Sequence, residues 1–160
     1  MIIMGIDPGL NQTGIGLLRI KSKQMEYVAH VLVKTSAKDS FIMRLGNICE
    51  KIADTIDQYE PKYAAVEDIF YATNIKTAIV LGQVKGAIIA NLIGKGVSIF
   101  EYSALQIKKS VVGYGKADKN QVKKLVEIHL KKSFDGVPYD CTDALACGIC
   151  LGLNISSAVF

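Results

Sequence analysis

The stretch Ile2-Ile3-Met4-Gly5-Ile6-Asp7-Pro8-Gly9 constrains everything that follows it. Its apolar run suits a strand covered on both faces, and Pro8 with Gly9 must end that strand directly after a carboxylate. Asp7 is thereby predicted where buried sheet meets solvent, held by its sheet neighbours. A metal ligand or catalytic acid needs that kind of rigid seat. Thr13-Gly14-Ile15-Gly16-Leu17-Leu18 reads as a returning strand whose glycines let backbone or ligand come close. An ordinary hairpin opened by an Asx-type turn would look the same from this stretch alone, so the role of Asp7 is decided by its partners.

At 160 residues and 50% hydrophobic, the chain has material for one domain with a sizeable core, residues 1–160, and too little for two. Met1 leads straight into a strand that the fold needs, with no apolar leader and no eighteen consecutive apolar residues. No membrane partner is expected, and a cytoplasmic location is. Cys49, Cys141, Cys147 and Cys150 fit reduced, buried small side chains. Cys147 and Cys150 have C-x-x-C spacing but lie in an apolar helical stretch with no second pair and no nearby His, which disfavours zinc. From Lys108 to Lys132 eight lysines face two acids, so the remainder of this +4 chain is net negative. Charge concentrated in one stretch points to a polyanion partner, with a solvated helix face as the plainer explanation.

Three strands, Ile2 to Ile6, Thr13 to Ile20 and Met25 to Lys34, follow through short connections and predict an antiparallel meander. His30, in the third, has no recognisable partner and is read as a packed or surface residue, and His129 is read as a boundary residue of its helix in preference to a catalyst. Phe41, Ile42, Leu45, Ile48, Cys49, Ile52 and Ile56 recur at helical spacing behind Asp39 or Ser40 as N-cap, and Pro61 ends the run. Tyr63-Ala64-Ala65-Val66-Glu67-Asp68 then repeats the Asp7 arrangement, a short apolar strand ending in carboxylates. If it lies parallel to the first strand and beside it, Glu67 meets Asp7 at one sheet end while Asp68 points away.

Phe70-Tyr71 stands in a polar loop, suited to anchor the loop or to stack on bases. The helix Ile75 to Ile93, stopped by Gly94-Lys95-Gly96, has more apolar surface than one sheet face requires. It is read as a subunit seam in preference to a core helix, with Ile79, Ile89 and Leu92 as candidate outward positions. Val97 to Glu101 predicts a fifth strand, and Ser103-x-x-Gln106 and Asp118-x-x-Gln121 have capping-box spacing before two helices. Asp140 and Asp143 lie three apart at the start of a last helix, on one face. Ala144, Ala146, Cys147 and Gly148 are small enough to bring that helix close to the sheet.

Asp7, Glu67, Asp140 and Asp143, gathered at strand ends and a helix start, would repel one another unless cations joined them. Carboxylates without His or Cys suit hard ions, Mg²⁺ or Mn²⁺. Two such ions about 3.5–4 Å apart serve in-line hydrolysis of a phosphodiester, one activating the nucleophile and the other stabilising the leaving oxygen. With the lysine-rich segment, this reads as a nuclease.

Six stretches carry a resemblance: Gly5-Ile6-Asp7-Pro8-Gly9, Ala65-Val66-Glu67-Asp68-Ile69-Phe70, Leu81-Gly82-Gln83-Val84-Lys85-Gly86, Lys108-Lys109-Ser110-Val111-Val112-Gly113, Ala117-Asp118-Lys119-Asn120-Gln121-Val122 and Asp140-Cys141-Thr142-Asp143-Ala144-Leu145-Ala146. In this order, over nearly the whole chain, the sequence resembles the RuvC-type Holliday-junction resolvases. The resemblance implies an α/β, RNase H-like fold: a five-stranded mixed sheet, three antiparallel strands and then parallel ones, flanked by helices. It implies a homodimer that binds four-way junction DNA in recombination and repair and nicks two opposed strands, dependent on Mg²⁺, two ions per site with Mn²⁺ able to substitute. RuvA and RuvB branch-migration proteins are implied as partners. By position, Asp7, Glu67, Asp140 and Asp143 match the family's metal-binding catalytic acids. Lys108 and Lys119 match its DNA-contacting lysines, Phe70 its junction-stacking aromatic, and Lys85, which stands where an Arg is common, is also expected to bind DNA. The two lysines are expected to act on phosphate and leave the metals alone.

Two rivals stand beside this. Asp-x-Gly followed by Thr-Gly also opens the actin-like and sugar-kinase ATPases, which need a second lobe that this length cannot supply. A non-catalytic junction-binding module could use the same lysines, but would have no use for four acids at those elements.

Overall fold

The apolar run after Met1 forms β1 (Ile2–Asp7) and stops at Pro8. A computed structural model describes residues 1–22, 24–68 and 74–158, with side chains as far as Ile155. β2 (Gln12–Lys21) and β3 (Gln24–Lys34) complete the antiparallel meander. β4 (Tyr63–Asp68) lies parallel to β1 on its other side, and β5 (Ser98–Ser103) lies parallel to β4. The resulting order β3-β2-β1-β4-β5 is the mixed sheet expected from the sequence, with β1 at its centre.

The period-two alternation of the strands sorts their side chains into two cores. Met4, Ile6, Ile15, Leu17, Ala64 and Val66 face α1 (Phe41–Tyr59) and α2 (Ile75–Gly94). Ile3, Leu18 and Ala65 face α3 (Ala104–Val112), α4 (Lys119–Leu130) and α5 (Tyr139–Ala158). Helix ends follow the local signals. The Ser40 hydroxyl accepts from the Met43 N–H, and Glu60 adopts the left-handed conformation, φ 47°, that stops α1 before Pro61. Both capping boxes, Ser103 with Gln106 and Asp118 with Gln121, are formed.

α5 lies almost backbone to backbone on the middle of the sheet. A Cβ on Gly5 would strike the Ala144 carbonyl, and one on Gly14 the Asp140 carbonyl. Gly5 and Gly16 are register partners, and Gly14 is the partner of Asp7. Three glycines on one face thus lower the first turns of α5 onto the strand end that carries Asp7. Gly14→Ala is expected to cost roughly 1–3 kcal/mol and to push Asp140 outward, because the obstacle is backbone. Chemical denaturation reads the cost; unchanged stability would mean that α5 is free to slide.

Two expectations are corrected. Leu92 is fully buried with Val84 and Ile88, because the i, i+4 stripe of α2 through these three faces the core; Ile89 is half-buried, and Ile79, 57% exposed, is an outward position. By length and composition α2, mean hydropathy 1.5, could cross a bilayer. Here its inward stripe packs on the sheet. His30 does have a partner: the Tyr27 hydroxyl lies 2.9 Å from its Nδ1. The β2–β3 register shifts between Leu17 and Leu18, pairing them with Ala29 and Tyr27, and this bulge brings two residues three apart onto one face. His129 is held through Nε2, 3.1 Å from the Val111 carbonyl oxygen, and tethers α4 to α3. The four cysteines are free thiols, three of them buried.

Candidate active site

Register alone brings the first two acids together. Ile6 pairs with Val66 in the parallel β1–β4 ladder, so Asp7 and Glu67 follow side by side at the same sheet end. Alternation aims both at the α5 face, and it sends Asp68 to the opposite face, as predicted. The turn after Asp7 is braced by the buried Thr13, whose hydroxyl donates to the Gly9 carbonyl at 2.7 Å and accepts from the Gly9 N–H at 3.3 Å. Thr35 adds a bond to the Leu10 carbonyl, and the Arg44 guanidinium from α1 donates to Thr35 and Asn11.

Asp7, Glu67 and Asp143 line a cleft of about 220 Å³, whose other walls are Ala104, Ile107 and Lys108 of α3, Lys119 and Val122 of α4, and Ala146. Asp140 does not line the cleft but acts on Asp7 and Asp143 from close by. Burial, then the charge of Glu67 and the two α5 aspartates, push the Asp7 carboxyl up to about 8. Burial and Asp143 raise Glu67 to about 7. Asp143 is also raised by burial, although the Lys119 ammonium opposes this. These carboxylates are held together against their own repulsion, and a cation relieves that cost. Among the described residues no group of three or more His, Cys, Asp or Glu side chains is drawn together closely enough to hold a metal ion as it stands. All-oxygen donors lining one open side of a cleft suit a hard divalent cation that keeps room for substrate.

The basic residues fall into different places. Lys108 lines the cleft. Lys119 lines it too, and its Nζ stands 3.5 Å from Asp143 Oδ2, so its charge acts on the acids. The sequence had no means of showing this contact between the start of α4 and α5. Lys85 does not line the cleft. Its ammonium, on a side chain 14% exposed, pairs with Asp68 and, at 2.5 Å, with Glu101, joining α2 to β4 and β5 on the face opposite α5. Burial pulls the Lys85 pKa down, but these two partners raise it on balance. Phe70 lies outside the described residues. Sequence reading passed over Tyr139 and Asn120, whose side chains are hydrogen-bonded to each other across the starts of α5 and α4. Nothing in their spacing signals it, since the partners are 19 residues apart.

The raised carboxyls predict how stability depends on pH. Between about pH 4 and 8 the unfolded chain has released protons that folded Asp7 and Glu67 still hold, so folding stability falls as pH rises through this window. In chelator, the melting temperature of Asp7→Asn should exceed that of wild type by several °C at pH 8.5, and the gap should close towards pH 5. Mg²⁺ should narrow the gap at the high end. A gap independent of pH would mean that Asp7 is not held against its own charge.

Comparison with known proteins gives the family and the fold. The family described as "Crossover junction endodeoxyribonuclease RuvC" matches residues 3–151. A protein of that description from Caldicellulosiruptor saccharolyticus is 37% identical, covering 100% of this chain and 97% of its own. One from Methylobacillus flagellatus is 44% identical over 92% of this chain and 84% of its own. Among solved structures, T. thermophilus RuvC in complex with a Holliday junction substrate superposes with a TM-score of 0.92 at 26% identity, over 99% of this chain and 96% of that one. The yeast mitochondrial Holliday junction resolvase Ydc2, 12% identical with a TM-score of 0.68, shares the fold. By the breadth of these matches the chain belongs to the RuvC family of crossover junction endodeoxyribonucleases.

Proposed function

We propose that this protein is a structure-specific endodeoxyribonuclease, one nuclease domain over residues 1–160, that resolves four-way DNA junctions by paired nicking of two opposed strands. The observation that carries the reading is the convergence of Asp7, Glu67 and Asp143 on a cleft that is also lined by Lys108 and Lys119. A site built for a polyanion needs both halves: cations to receive phosphate, and carboxylates to hold the catalytic metal. Asp7, Glu67, Asp140 and Asp143 would hold Mg²⁺, with two ions per site and Mn²⁺ as a substitute. The bound metal supplies charge neutralisation at the scissile phosphate and acidity at the attacking water. The protein's own contribution is placement. β1 and β4 would fix two ligands rigidly, α5 brings two more down over the sheet glycines, and Lys108, lining the same cleft, would orient a phosphate.

Two equivalent cuts need two equivalent centres, which a two-fold dimer supplies. The outer face of α2, with Ile75 79%, Ile79 57% and Ile93 65% exposed, is the surface we assign to the partner copy. Lys85 supports that helix from beneath, and RuvA and RuvB are the proposed branch-migration partners in the cytoplasm. Phe70, in the segment joining β4 to α2, is proposed to stack on an unpaired base at the crossover.

The test is a synthetic four-way junction incubated beside a linear duplex of the same sequence, with Mg²⁺ and with chelator. Symmetric nicks in the junction alone, and only with metal, are expected. Equal cutting of the duplex, or none of either, would remove the reading.

A further inference from the structure

Lys119 opens α4 with a side chain 70% exposed, yet its ammonium is turned inward to Asp143 Oδ2 and lies 5.8 Å from the centre of the Tyr139 ring. The Tyr139 hydroxyl donates to Asn120 Oδ1, so the residue after Lys119 is tied to the residue before Asp140. The ammonium is therefore held over the acids by the same helix start that carries two of them. A surface lysine with free access to water gives up conformational entropy to stay in such a place, and does so here because the half-buried carboxylates need positive charge.

We propose that Lys119 is a removable counter-cation: without DNA it neutralises Asp143 and competes with the divalent metal there, and a junction phosphate draws it off so that the metal can take its place. The step moves no covalent bond and no proton. It exchanges one ion pair, ammonium with carboxylate, for two, ammonium with phosphate and metal with carboxylate. The exposed four-carbon stem lets the ammonium leave without disturbing α4, whose N-cap and capping box involve Asp118 and Gln121 alone. Metal and junction then favour each other's binding, and by linkage the factor is the same in both directions. The consequence for the enzyme is a centre that loads fully only when its substrate is present.

This inference rests on the reading of the four carboxylates as a metal site, and the experiment separates the two. Ca²⁺ binding to the full chain is measured by calorimetry at low salt, without DNA, for wild type, Lys119→Met and Asp143→Asn. Lys119→Met should bind Ca²⁺ about tenfold more tightly than wild type, as loss of one nearby positive charge requires, and Asp143→Asn more weakly. Junction affinity is then measured by anisotropy with and without Ca²⁺; the tightening caused by Ca²⁺ should be about tenfold smaller in Lys119→Met than in wild type. Equal Ca²⁺ affinity for wild type and Lys119→Met, with Asp143→Asn still weakened, would overturn the counter-cation and leave the metal site standing. Equal tightening in both proteins would overturn the exchange with phosphate. No Ca²⁺ binding by any of the three would remove the metal site and this inference with it.

Discussion

Asp7→Asn and Glu67→Gln should each slow nicking of a four-way junction by about a thousandfold or more while leaving junction affinity within a few-fold of wild type. Each change keeps the size and shape of the side chain and removes the charge that a cation requires. Neither residue suits a DNA phosphate as a partner, since both are acids, and the cationic side chains lining the same cleft are Lys108 and Lys119. The loss is not expected to come from unfolding. Burial and mutual repulsion hold both carboxyls above their ordinary values, so removing a charge at pH 8 relieves strain in the metal-free protein. Single-turnover cleavage, junction affinity and melting temperature on the same preparations separate these effects. Wild-type nicking by either variant, or activity and melting temperature falling together, would contradict the assignment.

Ile79→Asp should convert the proposed dimer into a folded monomer, shifting dissociation by about a hundredfold or more, with weak junction binding and unpaired nicks. The inward stripe Val84, Ile88 and Leu92 is untouched by this change, and Ile79 is more than half exposed in the single chain, so the fold itself should survive. Gly82 and Gly86 flank the same outward surface with open space where a Cβ would stand, which lets a second helix come near. Leu92→Asp serves as the contrast and should unfold the protein, because Leu92 is fully buried. Sedimentation velocity reads the assembly and a two-strand labelled junction reads the pairing of cuts. A wild-type monomer at micromolar concentration that still makes paired nicks would leave α2 as an ordinary surface helix.

What the sequence revealed and what it hid follow from the range of each signal. Strand ends marked by Asp7-Pro8-Gly9 and Glu67-Asp68, and the three capped helices that follow Ser40, Ser103 and Asp118, were legible because their causes lie within a few residues of each other. The meeting of Asp7 with Glu67 could be anticipated because parallel neighbours align their carboxyl ends. Gly14 was readable as a place of close approach, but only the fold shows that the approaching group is the Asp140 carbonyl. Contacts between distant elements left no trace in spacing. The Lys119–Asp143 pair, the Tyr139–Asn120 bond and the seat of Lys85 between Asp68 and Glu101 each join residues from separate elements. The Tyr27–His30 contact was hidden for a different reason, since it depends on a bulge that period-two reading does not contain.

The acids from β1, β4 and α5 are proposed to share divalent cations, and crystals soaked in Mn²⁺ test this without reference to activity. Anomalous density at the Mn²⁺ edge should appear between Asp7 and Glu67 and towards the α5 aspartates, and should vanish from the first position in Asp7→Asn. Ordered Mn²⁺ elsewhere on the protein, with none at these carboxylates, would contradict the account.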